Sequence, residues 1–537
     1  MAAVSELAGL TAAYLDLRWH LDPVSATAAG LTDYDARLGG YSEEEIRQHV
    51  AALKSTATGL EVVELDSVDD EIDRTALLND VRITIHRFSK EQPHVRDPGF
   101  WISHALEGLY YLLVLKDRPL EHRAAAVRQR LEAIPAFLDM AEETLGDCPS
   151  VFVDTAVDMV GGGKLLLAEV GAYFGNGDAA FHAVVKKAAA AVDGFGAYLR
   201  DELLPGANGS YAIGEDSFNF RLHYEHALRD TAPELWRYGN HLVEEIERDL
   251  ESLAHTIDGT AHWPDLVDRL RANHPTASEL VGAYATEMER ACRFVVERNL
   301  VAVPEGPLDV IETPRFLKPV MPFAAYQPPG PFSSDRTGRF FVTPPDADTP
   351  AAQSERMLRD HCVHELASTA LHEGFPGHHL QFLTAQQQPQ PIRRLIGTPL
   401  TIEGWALYCE EMMGEEGFYR GPEERFFQRV HLLWRALRVV LDVGLHTRGM
   451  TFEEGVQLLV DRVHFDRHNA EAEVRRYCAN PVYQLCYAVG RREFRELRDD
   501  YREANGANYS LRAFHDAALR YGGLPVSLIR WGMGLGE

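Results

Sequence analysis

Apolar positions recur at three- and four-residue spacing along most of the chain, the pattern of helices that bury one face. Residues 1–100 read as helices. Ser42 with Glu45 forms a capping box opening a helix to about Lys54, and Ser67 starts another whose apolar face carries Leu77, Leu78, Val81 and Ile85. A long helix is predicted from Pro119 to Leu145, and one opened by Thr231 and Glu234 with Leu235, Tyr238, Leu242, Ile246 and Leu250 along its stripe. Another runs from about Ala277 to Leu300. The texture then changes: prolines cluster between 304 and 350, and β-branched and aromatic residues replace the Ala/Leu pattern. Leu308–Ile311, Phe323–Tyr326 and Arg339–Thr343 are predicted strands of a small sheet. A lobe boundary is placed here, giving 1–300 as a helical lobe and 301–537 as the lobe with the chemistry, within one continuous structural unit. Ser354 to Glu373 reads as one long helix with His361, Glu365, Ser368 and His372 on a stripe. Pro422 opens a strongly apolar helix through Leu445, Thr451 caps the next, and Asn469 the one after. The fold class expected is mostly α: a large multi-helix fold with a deep cleft and a small β-sheet.

Composition narrows the function classes. An apolar content of 45% and a charged content of 25% over 537 residues belong to an ordinary soluble protein. A net charge of −28 argues against nucleic acid or an anionic membrane as partner. Cysteines 148, 292, 362, 409, 478 and 486 are scattered, which suggests a reducing compartment. The first residues carry Glu6 inside their apolar run and lack a basic start, unlike a signal peptide, so a cytoplasmic location is expected. The stretch GGGK at 161–164 fails as a phosphate loop, since Asp158 and Leu165 stand where Gly and Ser/Thr are needed; a helix break or turn is expected there.

The stretch 372–379, HEGFPGHH, concentrates three imidazoles and a carboxylate. Zinc hydrolase sites use His and carboxylate ligands with a Glu beside the first His as base, commonly as H-E-x-x-H on a helix. Here the second His follows at six or seven residues. On a straight helix i+6 points about 120° away and i+7 lies about 10.5 Å along the axis, so neither pair grips one ion. Pro376-Gly377 interrupts the helix and swings a later His back. The stretch therefore reads as H-E-x-x-H with two residues inserted: His372 and His378 as ligands, His379 as the alternative, Glu373 as base. Glu403, 25 residues after His378 in TIEGWALYCEE, is the best third ligand; Glu410, two turns on, is placed to accept the free ring N–H of a ligand His. His361 is too far along the predicted helix to ligate and is expected to line the cleft or to be buried and hydrogen-bonded.

The motifs LHEGFPGHHLQ, EGWALYCE and RRYCANPVYQLCYAVGRREFRELR (475–498), in that order, resemble the bacterial family of domain of unknown function 885. They also look like a stretched version of the helical zinc peptidases of the thimet oligopeptidase and Taq-type carboxypeptidase groups. The resemblance implies a helical fold with a cleft, His372, His378 and Glu403 as zinc ligands, Glu373 as base, and a tyrosine of 483–487 as oxyanion donor, Tyr487 before Tyr483. Many members carry Gly-Gln after the proline, where this chain has Val482-Tyr483-Gln484. Gln484, Arg491 and Arg492 are further candidates near substrate. The expected activity is zinc-dependent hydrolysis of short peptides. The alternatives are a metal-dependent hydrolase of non-peptide amides or esters, and a non-catalytic helical binding protein. A homodimer is the default oligomer.

Overall fold

The computed structural model describes residues 6–315, 317–318, 321 and 323–536. It is mostly α with one three-stranded sheet, as expected from the hydrophobic pattern. Two compact units emerge: the chain through Ile213 together with Gly330–Asp335, and Gly214–Pro329 with Arg336–Glu537. The division falls at 213/214, whereas the change in texture suggested 300/301. The reason is the helix Ala232–Ile257, which packs along Pro422–Thr447 so closely that a side chain added at Gly239 would meet Val439 and Val440.

The first unit is built on the helices Glu6–Leu21, Glu43–Val62, Val68–His86, Pro98–Val114, Leu120–Thr144, Ser150–Gly175 and Ala179–Tyr198. The predicted capping box at Ser42 is present. The stretch GGGK is not a break: it lies inside Ser150–Gly175, whose apolar face (Val153, Ala156, Val160, Leu166, Leu167, Val170) runs continuously past it. Residues 1–5, the start of the stretch compared with a signal peptide, lie outside the described residues.

In the second unit the three strands are β1 (Leu308–Glu312), β2 (Ala324–Gln327) and β3 (Gly338–Val342), in the order β1-β3-β2. β1 is parallel to β3 and β2 antiparallel to it, with Val310 and Tyr326 both opposite Phe340. Phe340 and Val342 bury against Leu280, Tyr284 and Met288 of Leu280–Glu297 and against Leu366 and Ala370 of Leu366–Glu373. The sheet is thereby fixed to the helix that carries His372 and Glu373.

Two helix expectations are corrected. Ser354–Glu373 is not one helix: Ala351–Arg359 ends, and Leu366–Glu373 begins after a break. The Val363 N–H bonds to the Asn273 carbonyl at 2.9 Å, and this tertiary bond replaces an intrahelical one. Asn469 is not a cap; Asp466 caps Arg467–Ala479 and accepts from the Asn469 N–H at 3.0 Å. No helix among the described residues is long and apolar enough to cross a membrane.

Candidate metal centre

The helix Leu366–Glu373 stops at Gly374, and a new helix, His378–Gln386, starts four residues later. The Phe375–Pro376 bond between them is cis. Gly377 is required at the restart, because a Cβ there would stand 1.9 Å from the His372 carbonyl oxygen. The turn is pinned to the Glu403 helix, Pro399–Glu415, by Trp405, whose indole N–H donates to the Pro376 carbonyl at 2.9 Å. The Glu403 helix meets Cys486–Asn505 backbone to backbone: a Cβ at Gly404 would lie 2.5 Å from Gly490, and one at Gly490 2.0 Å from the Leu400 carbonyl oxygen. That approach delivers Tyr483 and Tyr487 to Glu403.

The result is a buried cluster of His372, His378 and Glu403, with ligand atoms all within 4.8 Å of one another. His372 Nε2 lies 3.4 Å and His378 Nε2 3.3 Å from Glu403 Oε2. Two ligands of a tetrahedral zinc at about 2.0–2.1 Å stand about 3.3–3.4 Å apart, so the separations fit one ion. Glu403 Oε2 and His378 Nδ1 are buried without a hydrogen-bond partner. His372 Nδ1 meets Glu410 Oε1 at 2.8 Å, which fixes the ring as a carboxylate behind a metal-bound imidazole does. Tyr483 Oη donates to Glu403 Oε1 at 2.7 Å.

Electrostatics favour positive charge here. Burial lowers the His372 pKa, but Glu403 and Glu410 outweigh it and hold the value up at about 10. Burial raises that of Glu403, but His372 and His378 outweigh it and carry it well below the carboxylate range.

A cavity of about 1630 Å³ opens on this cluster within the second unit. Glu373, His372, His378, Glu403, Glu410, Tyr483 and Tyr487 all line it. Glu373 makes no hydrogen bond or ion pair among the described residues. The Tyr487 ring stacks 6.3 Å from that of His372 and 6.2 Å from Tyr483. Burial and nearby Glu403 raise the pKa of both hydroxyls, so both stay protonated at neutral pH. One wall of the cavity is β2. Thr343 N–H donates to the Phe323 carbonyl at 2.9 Å, and bonded pairs alternate in an antiparallel ladder. Ala324 and Tyr326 therefore turn their backbone N–H and C=O groups away from β3, toward an edge that no other described strand pairs with.

Other candidates lie elsewhere. His379 is fully buried with both ring nitrogens engaged, Nδ1 with Tyr326 Oη at 3.0 Å and Nε2 with the Gly306 carbonyl at 3.3 Å; it is not in the cluster. His361 stacks on Phe323 at 4.1 Å and meets Tyr284 Oη at 3.0 Å, the buried, hydrogen-bonded role. Arg491 grips Glu411 with two bonds of 2.6 and 2.8 Å, and Arg492 pairs with Asp230 and Glu493; neither lines the cavity, because each guanidinium is consumed by a carboxylate. Gln484 is fully buried, does not line the cavity, and its amide has no partner among the described residues.

Residues that sequence reasoning passed over are Tyr326, Asp442, Arg435 and Arg438. Asp442 accepts the backbone N–H groups of Val482 (2.9 Å) and Leu485 (3.1 Å) and so holds the turn from which Tyr483 reaches Glu403. Val482 in that turn has φ +64°, a conformation costly for a β-branched residue. The signal was available: His431, Arg435, Arg438 and Asp442 recur at helical spacing inside an otherwise apolar helix.

The fold and site thus define a mostly helical protein with a buried His/His/Glu cluster at the wall of an open cavity. The family described as bacterial proteins of unknown function, DUF885, matches residues 23–533, and the chain belongs to it. Among solved structures, a "putative lipoprotein of unknown function" from Shewanella oneidensis has 24% identity over 99% of this chain and 100% of its own, with a TM-score of 0.81. A "putative lipoprotein" from Colwellia psychrerythraea has 18% identity over 99% of both chains, with a TM-score of 0.84. At these identities the likeness is one of fold. No curated protein matches the chain.

Proposed function

We propose that the protein is a zinc-dependent hydrolase of peptide bonds in short peptides. The observation that carries the reading is the convergence of His372 Nε2 and His378 Nε2 on Glu403 Oε2, beside an unengaged Glu373, at the wall of a cavity. His372, His378 and Glu403 would hold the ion. Zinc, when bound, supplies Lewis acidity that polarises a carbonyl and acidifies water. Glu373 takes the proton of the attacking water and passes it to the leaving amine. Tyr487 donates a hydrogen bond to the oxygen that gains charge, ahead of Tyr483, whose one hydroxyl proton is given to Glu403. Glu410 fixes the His372 ring and its tautomer. The free edge of β2 favours peptides over other amides and esters, because its outward N–H and C=O groups pair with an extended peptide backbone.

The test is turnover by the zinc-loaded protein of short peptides, acyl-amino acids and simple esters, with Glu373→Gln alongside. Peptides are expected to be cleaved, and Glu373→Gln to keep its metal while losing about 10²–10⁴-fold in rate. Undiminished activity in that variant, or turnover of esters alone, would overturn the reading.

A further inference from the structure

The helix Pro422–Thr447 presents His431, Arg435 and Arg438 to the cavity. Two of them are satisfied by their neighbours. His431 Nδ1 lies 3.2 Å from Ser368 Oγ and Nε2 3.8 Å from Glu365. Arg438 donates to Tyr477 Oη at 3.1 Å and to Glu473 at 3.5 Å, with its guanidinium 3.8 Å over the Trp434 ring.

Arg435 is different. Its Nε is buried without a hydrogen-bond partner, and its one hydrogen bond runs from Nη1 to the His431 carbonyl at 3.4 Å. It forms no ion pair among the described residues; Glu410 and Glu403, the carboxylates that act on it electrostatically, stay beyond 4.0 Å. Its remaining neighbours are rings, Trp434 at 4.7 Å and Tyr487 at 6.0 Å, and the like charge of Arg438. Holding a half-buried guanidinium without a counter-charge is costly, and its planar fork matches a carboxylate.

We infer that Arg435 receives the C-terminal carboxylate of the substrate, so that the cavity is an exo-acting site releasing one to three residues from a free C-terminus. The inference rests on the hydrolase reading above. The spacing supports it. Tyr487 is the shared neighbour, its ring centroid 6.3 Å from that of His372 and 6.0 Å from Arg435 Cζ. A residue of extended peptide spans at most about 3.6 Å. The two distances hold the His372 ring and Arg435 Cζ within about 12 Å of each other, so a carbonyl at the His/His/Glu cluster and a carboxylate at Arg435 belong to residues no more than about three apart. Arg438, 4.6 Å from the same Tyr487 ring, adds a second positive charge in a chain whose net charge is −28.

The experiment compares benzoyl-Gly-Ala-Phe as the free acid and as its C-terminal amide, with zinc-loaded wild type, Arg435→Gln and Arg435→Lys. Wild type is expected to prefer the acid. Arg435→Gln should lose about 10²-fold in kcat/KM on the acid and stay within about twofold on the amide, with Arg435→Lys between; metal content and melting temperature monitor folding. Equal cleavage of acid and amide by wild type, or an equal loss on both in Arg435→Gln, overturns the inference and leaves the hydrolase reading standing. Cleavage of neither peptide removes the hydrolase reading, and calorimetric binding of the same two peptides then decides. Binding of the acid by wild type but not by Arg435→Gln retains the carboxylate site, and binding without discrimination, or none, overturns it.

Discussion

Each unit contains a cluster of histidine, carboxylate and tyrosine together with an arginine, and the two sets differ in what they leave unsatisfied. In the first unit Asp22 caps a helix by accepting the Ser25 N–H at 2.9 Å, and His104 Nε2 lies 3.1 Å from Asp22 Oδ1 and 2.7 Å from Tyr41 Oη. Arg130, fully buried, donates to the carbonyls of Arg37, Gly108, Pro23 and Tyr34 and to Thr27 Oγ1. In the second unit His378 Nδ1, Glu403 Oε2, Glu410 Oε2 and Arg435 Nε are buried with no hydrogen-bond partner, and all four residues line the cavity. Buried polar groups in folded proteins are nearly always satisfied. A cluster that completes its own hydrogen bonds holds a fold together; one whose open valences face a cavity is shaped for something that enters it.

The contrast breaks most sharply at the arginines. Arg130→Met should destabilise the protein by about 3–5 kcal/mol, since it strands several buried acceptors at once. Arg435→Gln should cost no more than about 1 kcal/mol. Denaturant unfolding measures both, and equal losses would make Arg435 a structural residue and end the comparison. Glu410→Gln should weaken zinc about 10–100-fold by loosening the His372 ring, read by competition with a chromophoric chelator; unchanged affinity would remove Glu410 from the site. The smallest effect concerns the turn under Tyr483. Burial, only partly offset by the N–H groups of Val482 and Leu485, pushes the Asp442 carboxyl up from 3.8 to about 7. Between those values the folded chain binds more protons than the unfolded one, so this group's contribution to stability falls as pH rises through the window. Asp442→Asn should flatten the dependence of unfolding free energy on pH from 4 to 7, and an unaltered slope would contradict the shift.

Much of this was legible in the residues themselves. HEGFPGHH and TIEGWALYCEE announce their chemistry because ligand types bunch around a Pro-Gly break and on a helical stripe, and the structure brings His372, His378 and Glu403 together. The strands at 308, 324 and 338 were visible from aromatic and β-branched runs between prolines. Tertiary choices were not legible. Sequence spacing left His378 and His379 open, and only the contact of His379 with Tyr326 and Gly306 separates them. The break after Arg359 depends on a bond to Asn273, far away in the chain. Arg491 and Arg492 looked available for substrate because their carboxylate partners at 411 and 230 come from other helices and loops.

The most direct test is zinc content by plasma mass spectrometry after metal loading and dialysis, for wild type, His378→Ala and His379→Ala. The account predicts about one zinc per chain in wild type and in His379→Ala, and little in His378→Ala. No zinc in wild type, or retention by His378→Ala with loss from His379→Ala, would contradict it.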